Sequence, residues 1–182
     1  MNQGLIPNRY AKALFKFASE KGEADRVYGL MKQLAASFVE QPRLKAVIAN
    51  PYIPAEDKTR LLMTAAHADE KKDSCYVDFL HLLLHNRRIE FARDIALAYL
   101  DIYREANNIY LVKLTTAAEL PEEEIKRLHD LVERHLNGAV MEFSRIVDPS
   151  LIGGFVIDIN SERLDASVSN ELKQLRLELL SN

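Results

Sequence analysis

The sequence predicts a mainly α-helical protein: an N-terminal six-helix bundle over residues 1–106, then a small α+β unit of β-α-β-β-α order over residues 107–182. Three observations predict it. Across the first ~105 residues, apolar side chains recur with a period near 3.6, interrupted by short Gly, Pro and Asn punctuation. At Asn107-Asn108 the pattern changes, and from Ile109 the period becomes two. Only six Gly and six Pro in 182 residues argue for mostly regular structure.

The first helix covers about Ile6 to Lys21, with Ile6, Tyr10, Leu14 and Phe17 on one face and Ala11, Ala13 and Ala18 keeping it slim. Gly22 is its natural stop. A second helix, about Asp25 to Glu40, places Val27, Leu30, Met31, Leu34 and Phe38 inward. Pro42 opens a short third helix through Leu44, Val47 and Ile48, and Asn50-Pro51 breaks it, because a residue before proline is pushed out of the α region. Pro54 suits the first position of a fourth helix, where Glu56 and Asp57 favour the positive helix start. The fifth, about Ser74 to Asn86, is apolar nearly all round, which places it inside a bundle or under a partner. The sixth runs from about Ile89 to Ala106, with Ala92, Ile95, Ala96, Tyr99, Ile102 and Tyr103. Short loops between such helices make an antiparallel bundle.

In the second unit Tyr110, Val112 and Leu114 alternate with Leu111, Lys113 and Thr115, a strand. Pro121 and Glu122 to Glu124 start a helix with Ile125, Leu128, Val132 and Leu136 inward, and Asn137-Gly138 ends it. A strand near Val140 to Val147 follows. Asp148, Pro149 and Ser150 form a turn into a strand over Leu151 to Ile159. After a polar turn, Asp165 or Ser167 caps a last helix bearing Val168, Leu172, Leu175 and Leu179 as an apolar stripe.

Composition narrows the function. Apolar residues at 48% and charged residues at 28% are ordinary for a soluble globular chain. A formal net charge of −3 gives no basic field, so nucleic acid is not an expected partner. No stretch approaches the roughly 18–20 apolar residues of a membrane span, and the N-terminus has no signal-peptide core, so direct membrane insertion is not expected. A single cysteine, Cys75, forms no internal disulfide and reads as a small hydrophobe in a helix.

Candidate chemistry is sparse. His81 and His85 are four apart, the spacing of a zinc pair, but three leucines lie between them and no third ligand can be nominated. Gly153-Gly154 lacks the Gly-Lys-Ser/Thr of a phosphate loop and precedes a strand, so it reads as backbone geometry. Asp148 reads as a turn former. No catalytic residue, metal or cofactor is expected. The stripe Tyr10, Leu14 and Phe17 fits either a core face or a partner groove. A generic two-domain helical adaptor stays open on these residues, as does a small enzyme built on His81, His85 and Cys75.

A resemblance adds to this. The run Asp148, Pro149, Leu151, Ile152, Gly153 and Gly154, then Asp165, Ser167, Val168 and Leu172, resembles the C-terminal signature of the delta-subunit family of bacterial F-type ATP synthases. The mitochondrial counterpart is the oligomycin-sensitivity-conferring protein. Arg9 to Leu14 resembles the start of that family's first helix, and Asn50-Pro51 and Asn86-Arg87-Arg88 resemble further landmarks in the same order. One departure is Asn160-Ser161-Glu162-Arg163, which stands where the family often carries glycine before the Asp-x-Ser motif.

The resemblance implies a non-catalytic stator subunit that caps the catalytic head and couples ion transport to ATP synthesis. Residues 1–106 would bind the head by taking the N-terminal helix of an alpha subunit into a groove between helices one and five, with Tyr10, Ala13, Leu14, Phe17 and Leu82 as contacts. Residues 107–182 would engage the peripheral-stalk b subunits, with Val168, Leu172, Leu175 and Leu179 as candidate contacts. Asp148, Pro149, Gly153, Gly154, Asp165 and Ser167 would be the structural motif. The implied location is the cytoplasmic face of the bacterial membrane, held there through the complex.

Overall fold

A computed structural model describes residues 4–160 and 162–181, with side chains in the last helix through Gln174. The chain is mainly helical with one small mixed sheet, and it divides into two compact units, Met1–Ala106 and Asn107–Asn182.

Six α-helices occupy the first unit: α1 Leu5–Lys21, α2 Ala24–Glu40, α3 Pro42–Ala49, α4 Ala55–Ala65, α5 Ser74–His85 and α6 Ala92–Ala106. α1 stops where expected. Gly22 takes φ 71°, and backbone N–H groups of the cap reach the carbonyls of Ala18 and Ser19. α6 packs against both α1 and α2. Its Ile95, Ala96 and Tyr99 are fully buried, as are Met31 and Leu34 of α2. Burying a side chain of this size contributes about 1.5–3 kcal/mol. The tyrosines bring their polar ends to partners: Tyr99 Oη donates to the Ala24 carbonyl at 3.2 Å, and Tyr103 Oη donates to Asp25 at 2.7 Å.

One buried charge ties α2 to the turn before α5. The Asp73 side chain has no exposed surface and receives two hydrogen bonds from Arg26, at 2.7 and 2.9 Å. It also accepts the Asp69 backbone N–H at 2.7 Å. The Arg26 guanidinium therefore holds this carboxyl below the usual carboxylate range.

The second unit contains β1 Tyr110–Thr116, α7 Glu122–His135, β2 Met141–Val147, β3 Gly154–Ile159, β4 Glu162–Ser167 and α8 Val168–Ser181. The sheet order is β2-β1-β3-β4. β1 and β2 are parallel, as a crossover helix between them allows, and the other two pairings are antiparallel. Val112, Leu114 and Ile157 meet Val132 of α7 in the core, with Leu128, Leu136 and Phe143 packed around it.

Several expectations need correcting. The order is β-α-β-β-β-α, because a fourth strand replaces the expected polar turn before the last helix. Register explains it: Asp158 faces Arg163 directly, and the Arg163 Nε–Asp158 Oδ1 bond is 2.6 Å. The hairpin closes between Ile159 and Glu162, where Asn160 adopts φ 50°. Asparagine thus takes the left-handed turn position that glycine favours. β3 starts at Gly154 and not at Leu151, since Pro149–Leu151 form a 3-10 turn. The sixth helix is preceded by a 3-10 turn, Ile89–Phe91. Pro54 and Pro121 are extended N-caps with ψ 145°, one residue outside their helices.

Candidate partner-docking groove

α1 carries two apolar faces. Ala11, Leu14 and Ala18 point into the core. Tyr10, Ala13 and Phe17 turn toward α5 and stay partly or fully exposed. α5 is built alike: Cys75, Tyr76, Leu80 and Leu83 are buried, while Leu82 is 46% exposed. Between the helices lies a cavity of about 360 Å³ lined by Tyr10, Ala13, Leu14, Phe17, Asp78, Phe79 and Leu82. Leu14, at 3% exposure, and Phe79, at 6%, form its floor. Phe17 and Leu82, both exposed, line it as well, and Ala13 adds only a methyl group. Exposed large apolar side chains over a buried apolar floor are what a helix-in-groove site requires.

Charge closes one end. Lys21 Nζ lies 3.7 Å from Asp78 Oδ2 and 4.3 Å from the centre of the Phe17 ring. The structure brings Tyr10, Ala13, Leu14, Phe17 and Leu82 together in this groove. Asp78 was not singled out in the sequence, and Phe79 was seen only as part of an all-apolar helix.

Cys75, His81 and His85, the residues of the enzyme alternative, lie in different surroundings. Cys75 is fully buried, and that burial pushes its thiol up, away from a reactive thiolate. His81 and His85 are both exposed. Among the described residues the one close grouping of possible metal ligands is His129, Asp130 and Glu133 on α7. It is a surface cluster in which His129 and Asp130 already approach to 3.6 Å.

In the second unit the two halves of the C-terminal motif meet. Asp148 accepts the Ser150 N–H at 3.0 Å, which caps the 3-10 turn. Gly153 O accepts the Val168 N–H at 3.1 Å, joining the turn to α8. Gly154 has φ 74°, and a Cβ there would lie 2.2 Å from the Ala166 carbonyl oxygen, so only glycine fits. Ser167 is the helix cap: its Oγ accepts the Asn170 N–H at 3.2 Å. Asp165 supports that cap by accepting both the N–H and the Oγ–H of Ser167, and these bonds hold its carboxyl below the usual range.

Val168 is 38% and Leu172 52% exposed, so the stripe of α8 is open at its base. The Leu175 and Leu179 side chains lie outside the described residues. A second apolar groove, of about 410 Å³, runs between α7 and the sheet, lined by Leu131, Val132, Ile157, Ile159 and Leu164 with His135, Glu162 and Arg163. Sequence reading missed it, because β4 supplies one wall.

A family model described as ATP synthase delta (OSCP) subunit matches residues 6–179. The chain belongs to this family. Among its relatives, the ATP synthase subunit delta of Bacteroides thetaiotaomicron is 39% identical over 180 residues, covering 99% of this chain and 96% of that one. The subunit delta of Parabacteroides distasonis is 38% identical over 182 residues, covering 100% and 99%. A chain in the cryo-EM structure of the Toxoplasma gondii mitochondrial ATP synthase hexamer matches with TM-score 0.74. It is 21% identical and covers 96% of this chain and 97% of its own, a likeness of fold. Membership in the delta (OSCP) family sets aside the generic adaptor.

Proposed function

We propose that the chain is the non-catalytic stator subunit that links the catalytic head of an F-type ATP synthase to its peripheral stalk. The α1–α5 groove receives the N-terminal helix of an alpha subunit. The sheet unit engages the stalk b subunits through the base of α8, at Val168 and Leu172, and the apolar groove beside α7. The role is mechanical: rotor torque tends to turn the head, and a two-ended adaptor resists it, so that ion transport stays coupled to ATP synthesis. Such a link must outlast many turnovers. Nanomolar affinity corresponds to about 12 kcal/mol, within reach of an interface of roughly 1,600 Å² with a few aromatic anchors. On this reading the chain is held at the cytoplasmic face of the membrane through the complex; no helix among the described residues is long and apolar enough to cross a membrane.

The observation that carries this reading is the groove itself, an apolar trough lined by the exposed Phe17 and Leu82 together with Tyr10. Titration calorimetry of the full chain with a synthetic peptide of the cognate alpha subunit's N-terminal helix tests it. Tight one-to-one binding is expected; no heat of binding at tens of micromolar peptide would overturn it.

A further inference from the structure

We infer that the α1–α5 groove selects its guest by charge as well as shape: the occupant is an amphipathic helix whose apolar stripe is bordered by acidic side chains on the flank that meets α1. This rests on the docking reading above and adds the chemistry of the guest.

The argument starts from an imbalance. The whole chain has a formal charge of −3, yet α1 carries Arg9, Lys12, Lys16 and Lys21 against a single acid, Glu20. Arg9 and Lys16 sit four before and three after Ala13, so they border it along one helix row. Arg9, Lys12 and Lys16 are all exposed. Glu20 already lies within 4.0 Å of Lys16, and Lys21 is engaged by Asp78 and the Phe17 ring. Arg9 and Lys12 have no ion-pair partner among the described residues. The facing wall, α5, carries Asp78, His81 and His85 and no lysine or arginine.

The cationic border is therefore one-sided. A guest helix with acids on the α1 flank gains attraction there. Laid in the reverse direction with its apolar stripe still down, it would carry those acids along α5, which offers no lysine or arginine to meet them. Charge thus fixes the direction of the guest, while the apolar floor supplies most of the affinity. Rim charges of this kind act chiefly on association rate and its salt dependence.

The test uses the full chain and two synthetic peptides: the N-terminal helix of the cognate alpha subunit, and the same peptide with every Asp and Glu replaced by Asn and Gln. Stopped-flow association is measured at about 20 and 500 mM NaCl. The native peptide should associate roughly tenfold more slowly at high salt. The neutralised peptide, and the variant Arg9→Gln/Lys12→Gln/Lys16→Gln with the native peptide, should lose most of that dependence with dissociation rates little changed. A charge-reversed chain, Arg9→Glu/Lys12→Glu, should slow the native peptide and recover speed with a peptide whose acids are lysines. Equal rates for the native and neutralised peptides, or an unchanged salt slope in the variant, would overturn the charge rule and leave docking intact. Failure of both peptides to bind at any salt would remove the docking reading and this inference together.

Discussion

The helical unit buries large side chains from every one of its six helices, whereas the sheet unit rests on a small core of Val112, Leu114, Val132 and Ile157 with partly buried neighbours. Leu14, Leu34, Ile48, Leu62, Leu80 and Ile95 come from α1 to α6 in turn, and all are buried. In the sheet unit, shape comes instead from backbone bonding: a strand register, a 3-10 turn capped by Asp148, and a helix capped by Ser167. The difference teaches where each unit is vulnerable. Changes in backbone geometry should damage the sheet unit, and a lost buried contact should damage the helical one.

The largest expected effect is at Gly154. Alanine there combines φ 74° with a methyl 2.2 Å from the Ala166 carbonyl oxygen, so β3 and β4 must separate. Gly154→Ala should cost the sheet unit about 3 kcal/mol or more. Amide hydrogen exchange read by mass spectrometry should show loss of protection over residues 110–167 with residues 5–106 unchanged. Equal loss in both units would break the comparison.

Next comes Asp73→Asn, which removes the carboxylate that binds Arg26 and the Asp69 N–H. It should cost the helical unit about 2–3 kcal/mol, read by denaturant unfolding. Its pH dependence has a definite sign. Arg26 depresses the Asp73 pKa in the folded state, so this contribution is present above the ordinary carboxylate range near pH 4 and is lost as pH falls through the lower folded value. The wild-type helical unit should therefore lose stability on acidification below about pH 4 more steeply than the variant does.

A third change separates stability from binding. Ala13 lines the groove and is exposed, so an aspartate there meets solvent in the free protein and, in the proposed complex, a guest helix. Ala13→Asp should weaken the alpha-subunit peptide at least tenfold by calorimetry, with circular dichroism and melting temperature preserved. Unchanged affinity would count against the groove.

What the sequence made legible follows the same division. Long helices such as α2, with Val27, Leu30, Met31, Leu34 and Phe38 at helical spacing, could be read directly because their core face is written in the chain. The α1–α5 groove was legible only through resemblance: spacing alone could not tell whether Tyr10 and Phe17 faced a core or a guest. β4 was illegible because Glu162, Arg163, Leu164, Asp165, Ala166 and Ser167 include no β-branched or aromatic residue. Its strand character comes from pairing with β3, a tertiary effect, and the groove beside α7 was hidden for the same reason. The Gly153-Gly154 pair was read as geometry, and the oxygen that excludes a side chain at Gly154 belongs to β4, which had not been foreseen.

The smallest effect tests whether local bonding carries the sheet unit's last element. Ser167 is nearly fully buried and bridges two jobs: its Oγ caps the Asn170 N–H and donates to Asp165 Oδ1 at 2.6 Å. Removing the hydroxyl leaves the Asn170 N–H without its acceptor and Asp165 with one bond fewer. Ser167→Ala should cost about 1 kcal/mol, and the loss should concentrate at the start of α8. Exchange protection at residues 168–172 should fall before that of β1 or β3. Since Val168 bonds Gly153 and Leu172 lies exposed one turn on, the proposed docking of α8 on the stalk b subunits should weaken when the first turn frays, though less than in Leu172→Asp. If protection at the base of α8 were unchanged, the helix would be held by its contacts with β4 and the 3-10 turn. The contrast between a packed unit and a bonded one would then narrow to Gly154 and the strands around it.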